Sequence, residues 1–165
     1  PIIAANMHRM ILPRQSQIWA VVKAGQPLQK LYYQICSGLL GRLCFSGEPD
    51  ALSAAQWTVM DEGTAFYGKA APIIDHGVSQ RLGSRIVSYR APRGWQAVVR
   101  RGETQTLVVV HTFGAAPEAV TLPAGGKIAA QLMREGLTVT HLDGQLTVHG
   151  LTDFDAAAFI LENEG

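Results

Sequence analysis

A chain of 165 residues holds one ordinary domain or two small ones, and 47% hydrophobic against 16% charged residues is a core-building composition, not a disordered one. A formal charge of +1 excludes a strong field steering the chain to nucleic acid or an anionic membrane. No apolar run approaches the roughly 20 residues of a membrane span, so no membrane partner is expected.

In chain order, PIIAANM reads as a short buried strand. The polar stretch that follows, HRMILPRQSQIW, carries Arg9 and Arg14 around Pro13 and poses the first functional question. QIWAVV reads as a second strand or the start of a helix, its periodicity ambiguous at that length. After the turn KAGQP, residues Leu28, Leu31, Tyr32, Ile35 and Leu39 line one face of a helix that Gly41 ends. GRLCFSG is a short strand stopping at Ser46-Gly47-Glu48-Pro49-Asp50. Ser53 and Gln56 then form a capping box, opening a helix that runs to about Ala71, where Pro72 closes or kinks it. IIDHGVSQRLGS reads as a loop.

From Trp95 onward strands dominate. WQAVVRR and TQTLVVVHTF flank a turn at Gly102-Glu103, and Asp143-Gly144 marks a hairpin between LTVTHL and QLTVHGL. LVVVH is apolar on both faces and belongs at the centre of a sheet. With AVTLP, KIAAQLM and FDAAAFILE this makes six or seven short antiparallel strands, a small β-sandwich. The chain is therefore α/β followed by all-β. Its first part is too small to close a core, and resembles the last two β/α units of a TIM barrel, with a sandwich appended. Residues 1–77 would be the barrel piece, 78–94 a linker and 95–165 the sandwich. The chain opens on Pro1 and an apolar run and so reads as a piece of a longer protein.

Several kinds of chemistry find little support. Cys36 and Cys44 match no metal-site spacing and read as buried thiols, favouring a reducing, cytoplasmic compartment. His141 and His149 could face each other across their hairpin, but two ligands make no metal site. No serine sits in a nucleophile elbow. Arg9, Arg14 and Trp19 alone make no nucleic-acid surface. No cofactor and no metal are expected. Asp61-Glu62 reads as a solvated helix face, and Asp153 and Asp155 flank a strand start. Glu48 stands at the C-terminal end of a strand, the catalytic face of a barrel. If PIIAANM is also a barrel strand, Asn6, His8 and Arg9 emerge on that same face.

The succession NMHRMILPRQSQIWAVV, LQKLYYQICSGLLGRLCFSGEPDALSAAQW, FYGKAAPIIDHG and YRAPRGWQAVVRR…LVVVHTF resembles the C-terminal portion of bacterial α-galactosidases of glycoside hydrolase family 36. The resemblance implies a retaining hydrolase of terminal α-galactosides: an N-terminal supersandwich, a TIM barrel, and a C-terminal β-sandwich. It makes IIAANMH the seventh barrel strand and GRLCFSGE the eighth. The family's nucleophile and acid/base aspartates belong upstream of Pro1, so no catalytic residue is assigned and the chain alone is expected to be inactive. Where relatives end the eighth strand with a Gly-Tyr-Glu-Leu-Asp-like run, this chain has Cys-Phe-Ser-Gly-Glu. Asn6, His8, Arg9 and Glu48 are the candidate substrate-binding residues. The implied partners are an α-galactoside, the upstream barrel region of the parent, and further copies in a homo-oligomer. The alternative is a carbohydrate-binding or structural β-sandwich module, though the sandwich half offers few aromatics: Trp95, Phe113, Phe154 and Phe159.

Overall fold

The structure, a computed structural model, describes residues 1–163. Its first element corrects the sequence reading: Ile2–Met7 is a helix, α1, not a strand. Its buried residues are Ile2, Ala4 and Ala5. Ile2 and Ala5 have the three-residue spacing of a helix face, and alanine and methionine favour helix where β-branched residues would favour strand. With that strand gone, the parallel sheet is made by β1 (Gln17–Val22) and β2 (Arg42–Gly47). The helix α2 (Leu28–Gly38) crosses between them, giving one β-α-β unit.

The long helix α3 (Ala54–His76) follows β2. Its capping box forms as expected: Ser53 Oγ accepts from the Gln56 N–H at 3.3 Å, and Gln56 Oε1 accepts from the Ser53 N–H at 3.0 Å. The helix does not stop at Ala71. It passes through Pro72 to His76, and the proline forfeits only its own N–H, which would have bonded the Gly68 carbonyl.

Beyond α3 the chain is antiparallel. The stretch expected as a linker over 78–94 contains a strand, β3 (Val78–Gly83), paired along its length with β4 (Trp95–Arg101). Its polar alternation, Ser79-Gln80-Arg81, masks it in the sequence, because it lies at an edge where little is buried. The remaining strands are β5 (Gln105–Thr112), β6 (Ala119–Pro123), β7 (Lys127–Met133), β8 (Thr138–Leu142), β9 (Gln145–His149) and β10 (Ala156–Glu162). They form a five-stranded sheet of order β3-β4-β5-β10-β7 and a three-stranded sheet of order β6-β9-β8. β5 is the middle strand of the larger sheet, as its two-sided apolar pattern requires.

Side-chain alternation in the larger sheet divides the core. Ala97, Val99, Val108, Val110, Phe159 and Leu161 face the smaller sheet and meet Val120, Leu122, Leu146 and Val148. The opposite face, with Val98, Leu107, Val109, Ala158 and Ile160, shares one core with Leu31, Ile35 and Leu39 of α2 and Phe66 and Ile73 of α3. The helices are thus buried on the large sheet, while α2 also packs on Ala20 and Val22 of β1. No helix among the described residues is long and apolar enough to cross a membrane.

Candidate functional site

A parallel sheet ordinarily buries both faces, and an unpaired strand edge is one that proteins usually cover or blunt. Here one face is bare. Along β1 the exposed positions are Gln17, Trp19 and Val21, with Trp19 at 56% exposure. The register sets Trp19 beside Cys44 and Val21 beside Ser46. Gln17 Nε2 lies 2.8 Å from Cys44 Sγ, which puts those two side chains on the same face. Ile18, Leu43 and Phe45, of opposite parity, pack towards the helices. Each strand also has one unpaired edge among the described residues.

Two loops leave the C-terminal ends of these strands. The ladder continues past Gly47, because the Glu48 N–H donates to the Val22 carbonyl at 3.0 Å. That bond sets Glu48 next to Val22 and Lys23 at the exits of the two strands, where Lys23 and Glu48 are both exposed. Gly47 has φ +112°, and a Cβ there would overlap the Val22 carbonyl, so the close approach of the two strand ends requires glycine. The first loop, Lys23 to Gln26, is closed by the Gln26 N–H on the Lys23 carbonyl, with Gly25 at φ +72°. Gln56, buried at the start of α3, ties the loops together: its Nε2 donates to the carbonyls of Lys23 and Gln26, both at 3.1 Å.

The sequence-based candidates separate. Glu48 lies at this end. Asn6, His8 and Arg9 lie at the other, because α1 does not exit where a strand would. His8 Nδ1 is 3.4 Å from Arg100 Nη2, which donates to the Leu40 carbonyl at 2.9 Å, just before β2 begins. The five steps from Arg42 to Gly47, roughly 17 Å at about 3.3 Å each, separate the two ends. Asn6 accepts the Arg9 N–H through its backbone carbonyl at 3.3 Å, closing the end of α1. His8 serves the seam between helix and sheet. Burial, and then the Arg100 charge, lower its pKa to about 4, so at neutral pH it is the uncharged imidazole. Arg100 itself is 1% exposed. Its Nε donates to Ser79 Oγ at 2.9 Å, and burial lowers its pKa to about 10.

Other expectations resolve simply. Cys36 and Cys44 are free thiols; Cys36 is buried, with its pKa pushed up by burial, but Cys44, expected to be buried, is only half-buried. His141 and His149 do not face each other: their register partners are Leu146 and, on β8, Thr138. Among the described residues no group of three His, Cys, Asp or Glu side chains is placed to hold a metal. Phe113 and Phe159 are core residues, and Phe154 is the exposed aromatic of the sandwich half. Asp155, at a strand start, is fully buried and paired with Arg134 at 2.6 Å. The second role of Gln56 and the place of Lys23 had no sequence signal. Both depend on contacts between loops set apart by a whole helix.

No family model matches the chain, and no curated protein matches it. Solved structures do. The galactosidase domain of the α-galactosidase–sucrose kinase AgaSK superposes on 97% of this chain with a TM-score of 0.65 at 13% identity. An Anoxybacillus α-amylase covers 85% with a TM-score of 0.54 at 14% identity. The fold is shared with parts of glycoside hydrolases. The chain spans about a quarter of the first of these chains (24%) and a third of the second (34%).

Proposed function

We propose that this chain is the C-terminal part of a retaining glycoside hydrolase resembling the α-galactosidases. In this reading β1-α2-β2-α3 supplies the last two units of a TIM barrel, and the antiparallel sheets are the following β-sandwich. The observation that carries the reading is the bare face of β1 and β2. Trp19, Val21, Cys44 and Ser46 have the parity of barrel-interior residues, and further parallel strands would bury them. The likeness to a galactosidase domain over nearly the whole chain supports it.

The catalytic mouth of a barrel is at the C-terminal ends of its strands. There Glu48 accepts from sugar hydroxyls, with Lys23 beside it as a donor; a carboxylate and an ammonium on adjacent strands suit the alternating donors and acceptors of a pyranoside. Asn6, His8 and Arg9 belong to the opposite rim and are left out of the binding set. The nucleophile and the proton donor come from strands outside this chain, with two carboxylates about 5–5.5 Å apart if configuration is retained. The substrate class is a terminal α-galactoside, and the first partner of the chain is the remainder of its own barrel.

The test is hydrolysis of 4-nitrophenyl α-galactoside by the protein of the complete reading frame and by the 165-residue chain. The reading expects turnover from the former and none from the latter. In the complete protein, Glu48→Gln should raise KM by roughly tenfold, the worth of one charge-assisted hydrogen bond. Turnover by the chain alone would overturn the reading.

A further inference from the structure

We propose that Gln56 is a positioning residue, which holds the Lys23–Gln26 turn against the start of α3 and so fixes where Lys23 stands relative to Glu48. The placement of that turn at a ligand rests on the barrel reading; the coupling itself does not. Four hydrogen bonds converge on this one residue. Its backbone N–H and Oε1 complete the capping box with Ser53. Its Nε2 spans both ends of the turn, donating to the Lys23 and the Gln26 carbonyls.

The three side-chain partners leave the amide one orientation. Two carbonyls can only accept, and the Ser53 N–H can only donate, so nitrogen faces the turn and oxygen faces the cap. The side chain is 3% exposed, and water cannot replace it there at low cost. A capping box alone needs only the oxygen, which glutamate also supplies. The choice of glutamine is explained by the donor. A carboxylate would keep the cap and oppose the two carbonyls of the turn. The turn is thereby joined to the segment following β2, and the Glu48 N–H on the Val22 carbonyl is a second tie between the same two strand ends.

The experiment is amide hydrogen exchange on the 165-residue chain for Gln56→Glu, Gln56→Met and Ser53→Ala. At pH 7, Gln56→Glu should expose the Gln26 amide to exchange roughly tenfold faster, with the amides of β4 and β5 unchanged. Protection should return in part on acidification, because the protonated carboxyl again donates to one carbonyl. Gln56→Met, which fills the space without a donor, should lose the protection at every pH, and it stands in if the glutamate variant does not fold. Ser53→Ala should leave the turn protected. An unchanged Gln26 amide in both Gln56 variants, or an equal loss across β4 and β5, would overturn the proposal. In the complete protein Gln56→Glu should lower kcat/KM at pH 7 more than Ser53→Ala does. Equal effects overturn the link to the site, whereas a wild-type protein without hydrolysis overturns the glycosidase reading and leaves the exchange result standing.

Discussion

Arg100 donates through Nη2 to the carbonyl of Leu40 at 2.9 Å, which joins strand β4 to the C-terminal end of α2. A cation there meets the partial negative charge of a helix terminus, which offsets part of its burial in place of a carboxylate. The same guanidinium bonds Ser79 and faces His8, so helix, sheet and N-terminal segment meet on one side chain. Arg100→Ala removes these bonds and leaves the Leu40 carbonyl and the Ser79 hydroxyl unpaired. A loss of about 2–4 kcal/mol is expected by urea denaturation, and Arg100→Lys should recover only a minor part, since an ammonium lacks the planar fork.

The seam also sets a pH dependence. The folded pKa of His8, about 4, lies below its ordinary 6.5, and burial lowers that of His111 well below the ordinary value too. Between those values the unfolded chain binds protons that the folded chain does not. Stability should therefore be full above about pH 6.5 and fall as the pH drops towards 4. With the Ser37 hydroxyl proton given to the Tyr33 carbonyl, His111 Nε2 is left as the donor to Ser37 Oγ, and a second proton would sit on Nδ1, which has no side-chain or backbone partner. Denaturation midpoints from pH 7.5 to 4.5 should show the decline, and His8→Gln should make it shallower.

Asp155 anchors the far end of the sheet. It accepts from Arg134 Nε and Nη2, from the Thr152 N–H and hydroxyl, and from the Ala156 N–H, all from a fully buried position. Asp155→Asn should cost about 3 kcal/mol in chemical denaturation, because it strips the guanidinium of its counter-charge. The double variant with Arg134→Met should cost less than the sum of the two single changes, a coupling that a double-mutant cycle reads directly.

Much of this fold is legible in the sequence where the signal is local. The Ser53–Gln56 box sits within three residues. Asp143 and Gly144, at φ +50° and +70°, make the two-residue hairpin their identities suggest. LVVVH declares a central strand. The errors fall where tertiary contact decides. IIAANM is apolar enough for a strand, and over six residues its alanines and methionine are too weak a signal for the helix it forms. Val78–Gly83 looks like a loop because an edge strand needs little burial. The consequence for the site is direct. With the parallel sheet starting at QIWAVV and not at IIAANM, His8 lies by Arg100 and Leu40 at the start of β2, while Lys23 and Glu48 follow the other ends of β1 and β2.

The close approach of β1 and β2 at their C-terminal ends has its own test. Gly47→Ala places a Cβ into the Val22 carbonyl at a φ that disfavours any side chain. A loss of about 1–3 kcal/mol is expected, with faster exchange of the Glu48 amide, which depends on that carbonyl.

The central claim is that the bare face of β1 and β2 is the interior of a barrel, and Cys44 reports on it most directly. In the 165-residue chain Cys44 is half-buried on that face, while Cys36 is fully buried in the core. A thiol reagent should therefore modify Cys44 and spare Cys36. In the folded protein of the complete reading frame, further strands should cover the face and protect Cys44 by at least roughly a hundredfold in rate, the scale of an opening that costs about 3 kcal/mol. Equal reactivity of Cys44 in the two proteins would contradict the account.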